Sequence, residues 1–252
     1  MQTYIVIMTI IFAIYGIVIG SFLNVCIYRI PENESVVKIR SHCMKCGKQI
    51  KWYDLIPLVS YLMLGGKCRY CKDKISFQYP LIEFVNGLGY AIIVLANGVN
   101  LTSVLYCLCS SALLALSVID WRTFEIPVAF NIFIGILGII RLLTDLEHWS
   151  TYVIGFVSVS GFLYLIYLVT KGRGIGGGDI KLMAVAGLLI GWKNIILALV
   201  LGCVLGSIIH VALMKIQNKD RMLAFGPYLS LGIYISMICG EQLISWYLNM
   251  FY

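Results

Sequence analysis

Hydrophobic positions along the chain fall into eight long runs separated by short polar breaks: Tyr4 to Tyr28, Tyr79 to Ala96, Leu101 to Ile119, Ile126 to Ile140, Tyr152 to Thr170, Ile180 to Gly191, Ile195 to Met214 and Phe225 to Leu243. A helix needs roughly 20 mostly apolar residues to cross a hydrocarbon core of about 30 Å. The runs therefore predict an all-α polytopic membrane protein with about eight transmembrane helices, the sixth of them short. The first run carries no charge, is too long for the core of a signal peptide and has no basic residue before it, so it is expected to remain as an anchor. One long hydrophilic stretch lies between Tyr28 and Tyr79, within an N-terminal domain expected at residues 1–96 (anchor, insert and second helix), and a membrane bundle is expected at 101–252.

Composition agrees with this reading, since 60% hydrophobic and 12% charged residues over 252 positions lie outside the range of soluble domains. The distribution of charge adds an orientation. Basic residues near membrane ends stay on the cytoplasmic side. The insert holds Arg29, Lys38, Arg40, Lys45, Lys48, Lys51, Lys67, Arg69, Lys72 and Lys74, and eight crossings place Arg122, Lys171, Arg173, Lys181, Lys215, Lys219 and Arg221 on that same side. Only Arg141 and Lys193 fall opposite. A multi-pass cell-membrane protein with both termini outside is expected. The net charge of +7 is read as a topology signal, not as a surface for nucleic acid, because the basic residues are spread over four loops that flank helices.

Against this background four acidic residues adjoin or interrupt apolar runs: Glu83, Asp120, Asp179 and Glu241. An acid within a spanning helix costs about 2.5–3.5 kcal/mol on insertion scales and is a functional hypothesis by default. For Glu83 and Glu241 the expectation is an interfacial helix cap. Asp120, in SVIDWRTFEIP, closes the third run, and Asp179, in GIGGGDIKLMA, opens the sixth, so the topology puts both at the cytoplasmic face. Two carboxylates close together at low dielectric cannot both ionise comfortably and share a proton. That is the arrangement of an aspartic peptidase, in which one carboxylate activates water and its protonated partner polarises the scissile carbonyl. Gly176, Gly177 and Gly178 would let substrate backbone approach and would tolerate positive φ. The alternative is an ordinary N-cap aspartate after a Gly-rich turn. A nucleotide-binding glycine loop fits poorly, as no soluble strand precedes it.

The insert carries a second signal. Cys43 and Cys46, then Cys68 and Cys71, form two C-x2-C pairs separated by 21 residues, a spacing suited to a structural Zn²⁺ held by four thiolates. On a cytoplasmic loop disulfides are the weaker alternative. His42 is an alternative ligand beside Cys43. Four thiolates around zinc would lower the charge of the stretch Arg29 to Tyr79 from +6, ten basic against four acidic residues, to +4. Cys26, Cys107, Cys109, Cys203 and Cys239 lie in apolar runs and read as small packing residues.

Together, GSFLNVCIYRIP (Gly20 to Pro31), the cysteine insert running on through DLIPLVSYL and ISFQYPLIEF, SVIDWRTFEIP, GGGDIKLMAVAGLLIGW and FGPYLSLG (Phe225 to Gly232) closely resemble bacterial type IV prepilin leader peptidases, including competence-type processing enzymes. The likeness covers nearly the whole chain. It implies an intramembrane aspartic peptidase of the GxGD type with Asp120 and Asp179 as its catalytic pair. Substrates of that family are prepilins and pseudopilins, cut at the cytoplasmic face after a short basic leader. Many members then methylate the new N-terminus with S-adenosylmethionine, and by resemblance Gly66, before Cys68, marks the insert as the place for that activity. The chain departs from the family pattern at Val128, where a polar residue commonly follows the Ile-Pro pair, and at Met44, where proline commonly follows the first cysteine.

Two other classes fit some of these features. An ion or proton transporter can use a broken helix and paired acids, although no inverted repeat is evident. A zinc-bearing membrane scaffold would leave both aspartates as caps.

Overall fold

A computed structural model of the chain describes residues 2–217 and 224–250. Lys219 and Arg221, which the charge reading assigns to the cytoplasmic side, lie outside the described residues. The helices are α1 (Gln2–Arg29), α2 (Val59–Met63), α3 (Gln78–Asn97), α4 (Leu101–Thr123), α5 (Val128–Thr144), α6 (Trp149–Val169), α7 (Gly177–Ile190), α8 (Trp192–Gln217) and α9 (Gly226–Leu248). Among the described residues no strand forms, and β pairing is confined to two isolated bridges in the insert. Each of the eight hydrophobic runs coincides with one long helix.

Five of these helices are long and apolar enough to cross a membrane: Thr3–Arg29, Gln78–Asn97, Leu101–Thr123, Leu146–Val169 and Trp192–Ile209. The helix over Val128–Thr144 is apolar but shorter. With 14 residues, α7 reaches roughly 21 Å at about 1.5 Å per residue, short of a core of about 30 Å.

The chain divides into two compact units, Met1–Ser103 and Val104–Tyr252. In the first, α1 and α3 pack antiparallel with their backbones in close approach. A Cβ at Gly20 would stand 2.8 Å from Glu83 Cα, and Asn86 Nδ2 donates to Gly16 O at 2.7 Å. The Tyr28 and Tyr79 rings stack at 5.6 Å where the pair opens into the insert. Glu83 is not the helix cap expected from the sequence. It is buried in the second turn of α3 and accepts the Leu58 N–H at 2.7 Å, anchoring the insert at a residue with φ of 59°. Glu241 is exposed within α9, two residues past a kink at Cys239, and caps nothing either.

In the second unit α7 is the central helix, packed against α5, α6, α8 and α9. Past Asp179 and the exposed Lys181 its sequence is apolar on every side, the pattern of a helix enclosed within a bundle. Leu182, Met183, Ala186 and Leu189 are fully enclosed. Gly155 and Gly187 meet where α6 crosses α7, and a side chain at either would strike the other's backbone carbonyl. The N-terminal end of α7 is less enclosed, with Gly176 and Gly177 exposed and Asp179 half-buried.

Candidate active site and metal centre

Three helix ends build the first site, all in the second unit. Asp120 occupies the last turn of α4 and is buried. The helix stops three residues later, where Phe124 adopts φ of 56° and donates its N–H to Asp120 O at 2.8 Å. Pro127 is extended, with φ −61° and ψ 134°, and delays α5 to Val128, two residues beyond the start of the hydrophobic run. Ile126 is thereby left between helices, with its side chain against Gly178 and Gly226.

Asp179 is not the N-cap of α7. Gly176 holds that position, and the helix begins at Gly177, earlier than the hydrophobic run predicts. Asp179 is the third helical residue, half-buried, and its carboxylate reaches back to accept the Gly176 N–H, the acidic half of a capping box. The positive end of the helix dipole lies there. The charge of Asp120 acts on Asp179 at this site, so the two carboxylates stand within electrostatic reach of one another.

The glycines divide by role. None of Gly176, Gly177 and Gly178 takes positive φ, so conformational freedom is not the reason for them. A Cβ at Gly176 would lie 3.1 Å from Asp179 Oδ2, and one at Gly178 would lie 3.1 Å from Ile126 Cβ. At Gly177 nothing stands within 4 Å, which leaves an open backbone surface two residues before the carboxylate. Sequence reasoning missed Gly226, whose N–H donates to Asp120 Oδ2 at 2.9 Å. Its signal was the Gly-Pro pair opening a helix in FGPYLSLG, a helix-start pattern with a free N–H just ahead of the proline.

The first unit holds the cysteines. All four sulfurs of Cys43, Cys46, Cys68 and Cys71 lie within 4.8 Å of one another, and none is in a disulfide. Both C-x2-C pairs fold alike. Cys43 N–H donates to Lys48 O and Gly47 N–H to Cys43 O, while Cys68 N–H donates to Asp73 O and Lys72 N–H to Cys68 O. Positive φ at Gly47 and Lys72 and the bridges His42 to Gln49 and Lys67 to Lys74 complete the two turns.

A tetrahedral zinc site with Zn–S near 2.3 Å requires sulfurs roughly 3.8 Å apart. Cys43 and Cys71 are at 3.8 Å. The four cysteines therefore fit zinc in donor type and spacing. Backbone N–H groups of Cys71 and Tyr70 point at Cys68 and bring its thiol down to about 7. Cys71 accepts the Asp73 N–H, which favours its thiolate, but burial and the neighbouring thiols push it up to about 12. His42, bonded at Nδ1 to Arg40 O, stands outside the sulfur cluster.

Gly66 adopts φ of 66°, and a side chain there would begin 3.0 Å from the Tyr61 ring. Positive φ and the Tyr61 ring both favour glycine at this position.

Residues 14–97 match the family model of the bacterial peptidase A24 N-terminal domain, and residues 107–211 match that of the type IV leader peptidase family. Among curated proteins the chain is similar to the prepilin leader peptidase/N-methyltransferase of Bacillus subtilis strain 168, 33% identical over 94% of this chain and 96% of the relative. The protein of that name in Pseudomonas putida is 31% identical over 92% of this chain and 91% of its own length. No solved structure matches.

Proposed function

The chain belongs to the type IV leader peptidase family, and on that premise we propose that it is an intramembrane aspartic endopeptidase removing the short basic leader from prepilins or pilin-like competence proteins. The eight long helices are read as eight crossings, with both termini outside and the active site at the cytoplasmic face. The observation that carries the reading is the pairing of Asp120 and Asp179, two carboxylates from separate helices that interact at the same helix ends.

In this reading the pair holds one proton. The ionised carboxylate takes a proton from water as its oxygen attacks the scissile carbonyl. The protonated partner hydrogen-bonds that carbonyl and later gives its proton to the leaving amine. Gly226 N–H fixes one carboxylate and Gly176 N–H the other, so neither must reorganise during reaction. Substrate backbone enters over the open face of Gly177. Zinc held by Cys43, Cys46, Cys68 and Cys71 acts as a structural clip on the insert.

N-methylation of the new amino terminus is the second proposed activity, supported by the names of the relatives and by no geometry at Gly66. S-adenosylmethionine would supply the methyl group. Mass spectrometry of processed pilin, with and without that donor, tests it through an increment of about 14 Da, one CH₂.

The peptidase is tested by cleavage of a prepilin with purified protein in liposomes, comparing the parent with Asp120→Asn and Asp179→Asn. Both variants should lose cleavage while remaining folded. Full processing by either one would sink the paired-carboxylate mechanism.

A further inference from the structure

Level with the carboxylate pair and one helical turn inside it lie two buried polar side chains without partners. The register of α5 against α7 locates the first. These helices run in the same direction, because Ile126 meets Gly178, Gly135 meets Val185 and Gly138 meets Leu188. Asn131 is one turn before Gly135 on the same face, level with Lys181 and Leu182 and with the turn that carries Asp179. It is 5% exposed, and neither Oδ1 nor Nδ2 has a hydrogen-bond partner.

The second comes from α9. A Cβ at Gly226 would point at Asp120 Oδ2 and, at 3.3 Å, at Ile126 Cδ1. Ser230 is four residues on, on that same face and one turn deeper. It is also 5% exposed, and its Oγ has no partner. Helical hydroxyls ordinarily bond back to the carbonyl four residues earlier, as Ser117 does to Leu113 O and Thr123 to Ile119 O in α4. Ser230 leaves that bond unmade.

Resting on the leader-peptidase reading, we propose that Asn131 and Ser230 form a shelf that hydrogen-bonds the main chain of the substrate segment just after the scissile bond. A peptide cannot be cut while helical, and opening it strands N–H and C=O groups where water is scarce. A carboxamide offers a donor and an acceptor side by side, the complement of a peptide group in an extended chain. Serine adds a hydroxyl that serves in either role. The apolar segment of a prepilin runs inward from the cleavage point, so Asn131 at the level of the pair and Ser230 one turn deeper would face that segment and leave the basic leader outside. Contacts to main chain alone accept different side chains, which suits an enzyme acting on several pilin-like proteins.

The test uses the full chain in lipid nanodiscs: the parent, Asn131→Leu, Ser230→Ala and the double variant. Prepilin cleavage kinetics, thermal unfolding and binding of intact prepilin in an Asp179→Asn background are measured. Asn131→Leu keeps the shape and removes an unpaired polar group from the interior, so its Tm should equal or exceed that of the parent. Its kcat/KM should nonetheless fall about tenfold or more, carried by KM, with a matching loss of affinity. Unchanged KM and affinity overturn the shelf, and so does a lowered Tm with unchanged KM, which would mark Asn131 as structural. Failure of the parent to cleave would remove the peptidase reading, and the binding arm would still decide whether the shelf holds prepilin.

Discussion

The backbone N–H of Gly226 donates to Asp120 Oδ2 at 2.9 Å, and the place where a side chain on Gly226 would begin is 2.7 Å from that same oxygen. A methyl group cannot occupy that place. In Gly226→Ala either the carboxylate rotates away from its donor or α9 retreats from α4. Displacing a reacting group by about 1 Å costs on the order of 100-fold in rate, and kcat for prepilin cleavage should fall by that order. By contrast, Asp120→Asn keeps an oxygen for the Gly226 N–H and loses only the charge, so its Tm should stay near that of the parent. Cleavage by Gly226→Ala within twofold of the parent rate would show that the contact does not position Asp120.

The three glycines before Asp179 should separate experimentally. Alanine at Gly177 meets nothing within 4 Å, so the fold should accept it with unchanged Tm. If substrate backbone passes over that face, KM should rise about tenfold, as for loss of a contact made equally in the ground and transition states. At Gly176 the added carbon presses on Asp179 Oδ2, and at Gly178 on the Ile126 side chain. The first should lower kcat with little effect on Tm, and the second should lower both. Equal effects from all three substitutions would mean that the glycines serve only helix packing.

Long hydrophobic runs located all eight long helices because burial in lipid or in protein demands the same residues. That equivalence is also why the runs could not tell α7, which is short and enclosed by other helices, from a helix that faces lipid. Asp120 and Asp179 were legible because an acid beside an apolar run is costly and therefore conspicuous. The C-x2-C turns were legible because a local spacing sets their geometry. Contacts between distant positions were not. Glu83 reaches Leu58 and Gly226 reaches Asp120 across 25 and 106 residues, and no local pattern encodes either. Asn131 gave no signal in the sequence, since the absence of a partner is a property of packing alone.

Within the insert, Arg69 holds Asp54 through Nε to Oδ2 at 2.8 Å and Nη2 to Oδ1 at 2.6 Å. The hydrogen bonds from Arg69 keep the Asp54 carboxyl below the usual carboxylate range. A group whose folded value is depressed contributes stability that is present above its unfolded value and lost as pH falls through the folded one. Between neutrality and about pH 5, still above the ordinary aspartate value of about 3.9, the contribution should therefore be constant. Hydrogen exchange at the Trp52–Leu55 turn should be faster in Asp54→Asn than in the parent by the same factor throughout that window. The pair is partly exposed and screened by salt, so the difference should shrink at high ionic strength. A difference that disappears by about pH 5 would contradict the depressed value.

The cysteine cluster makes the last prediction. Zinc binds thiolates, so uptake releases protons and weakens as pH falls. Two backbone N–H groups that point at its sulfur bring Cys68 down to about 7, so it offers a thiolate near neutrality. Cys71, held up at about 12, would have to lose its proton on binding zinc. The rate of zinc uptake by metal-stripped protein should therefore fall about tenfold per pH unit below 7, following the Cys68 thiolate. The refilled protein should hold one zinc ion per chain by elemental analysis, and Cys43→Ser should hold it weakly or not at all. Removing the metal frees the two turns that close the insert, so protease nicking between Arg40 and Lys74 should accelerate. A rate of uptake that does not vary with pH, or a parent that resists nicking equally with and without metal, would show that the four sulfurs do not clamp the insert through zinc.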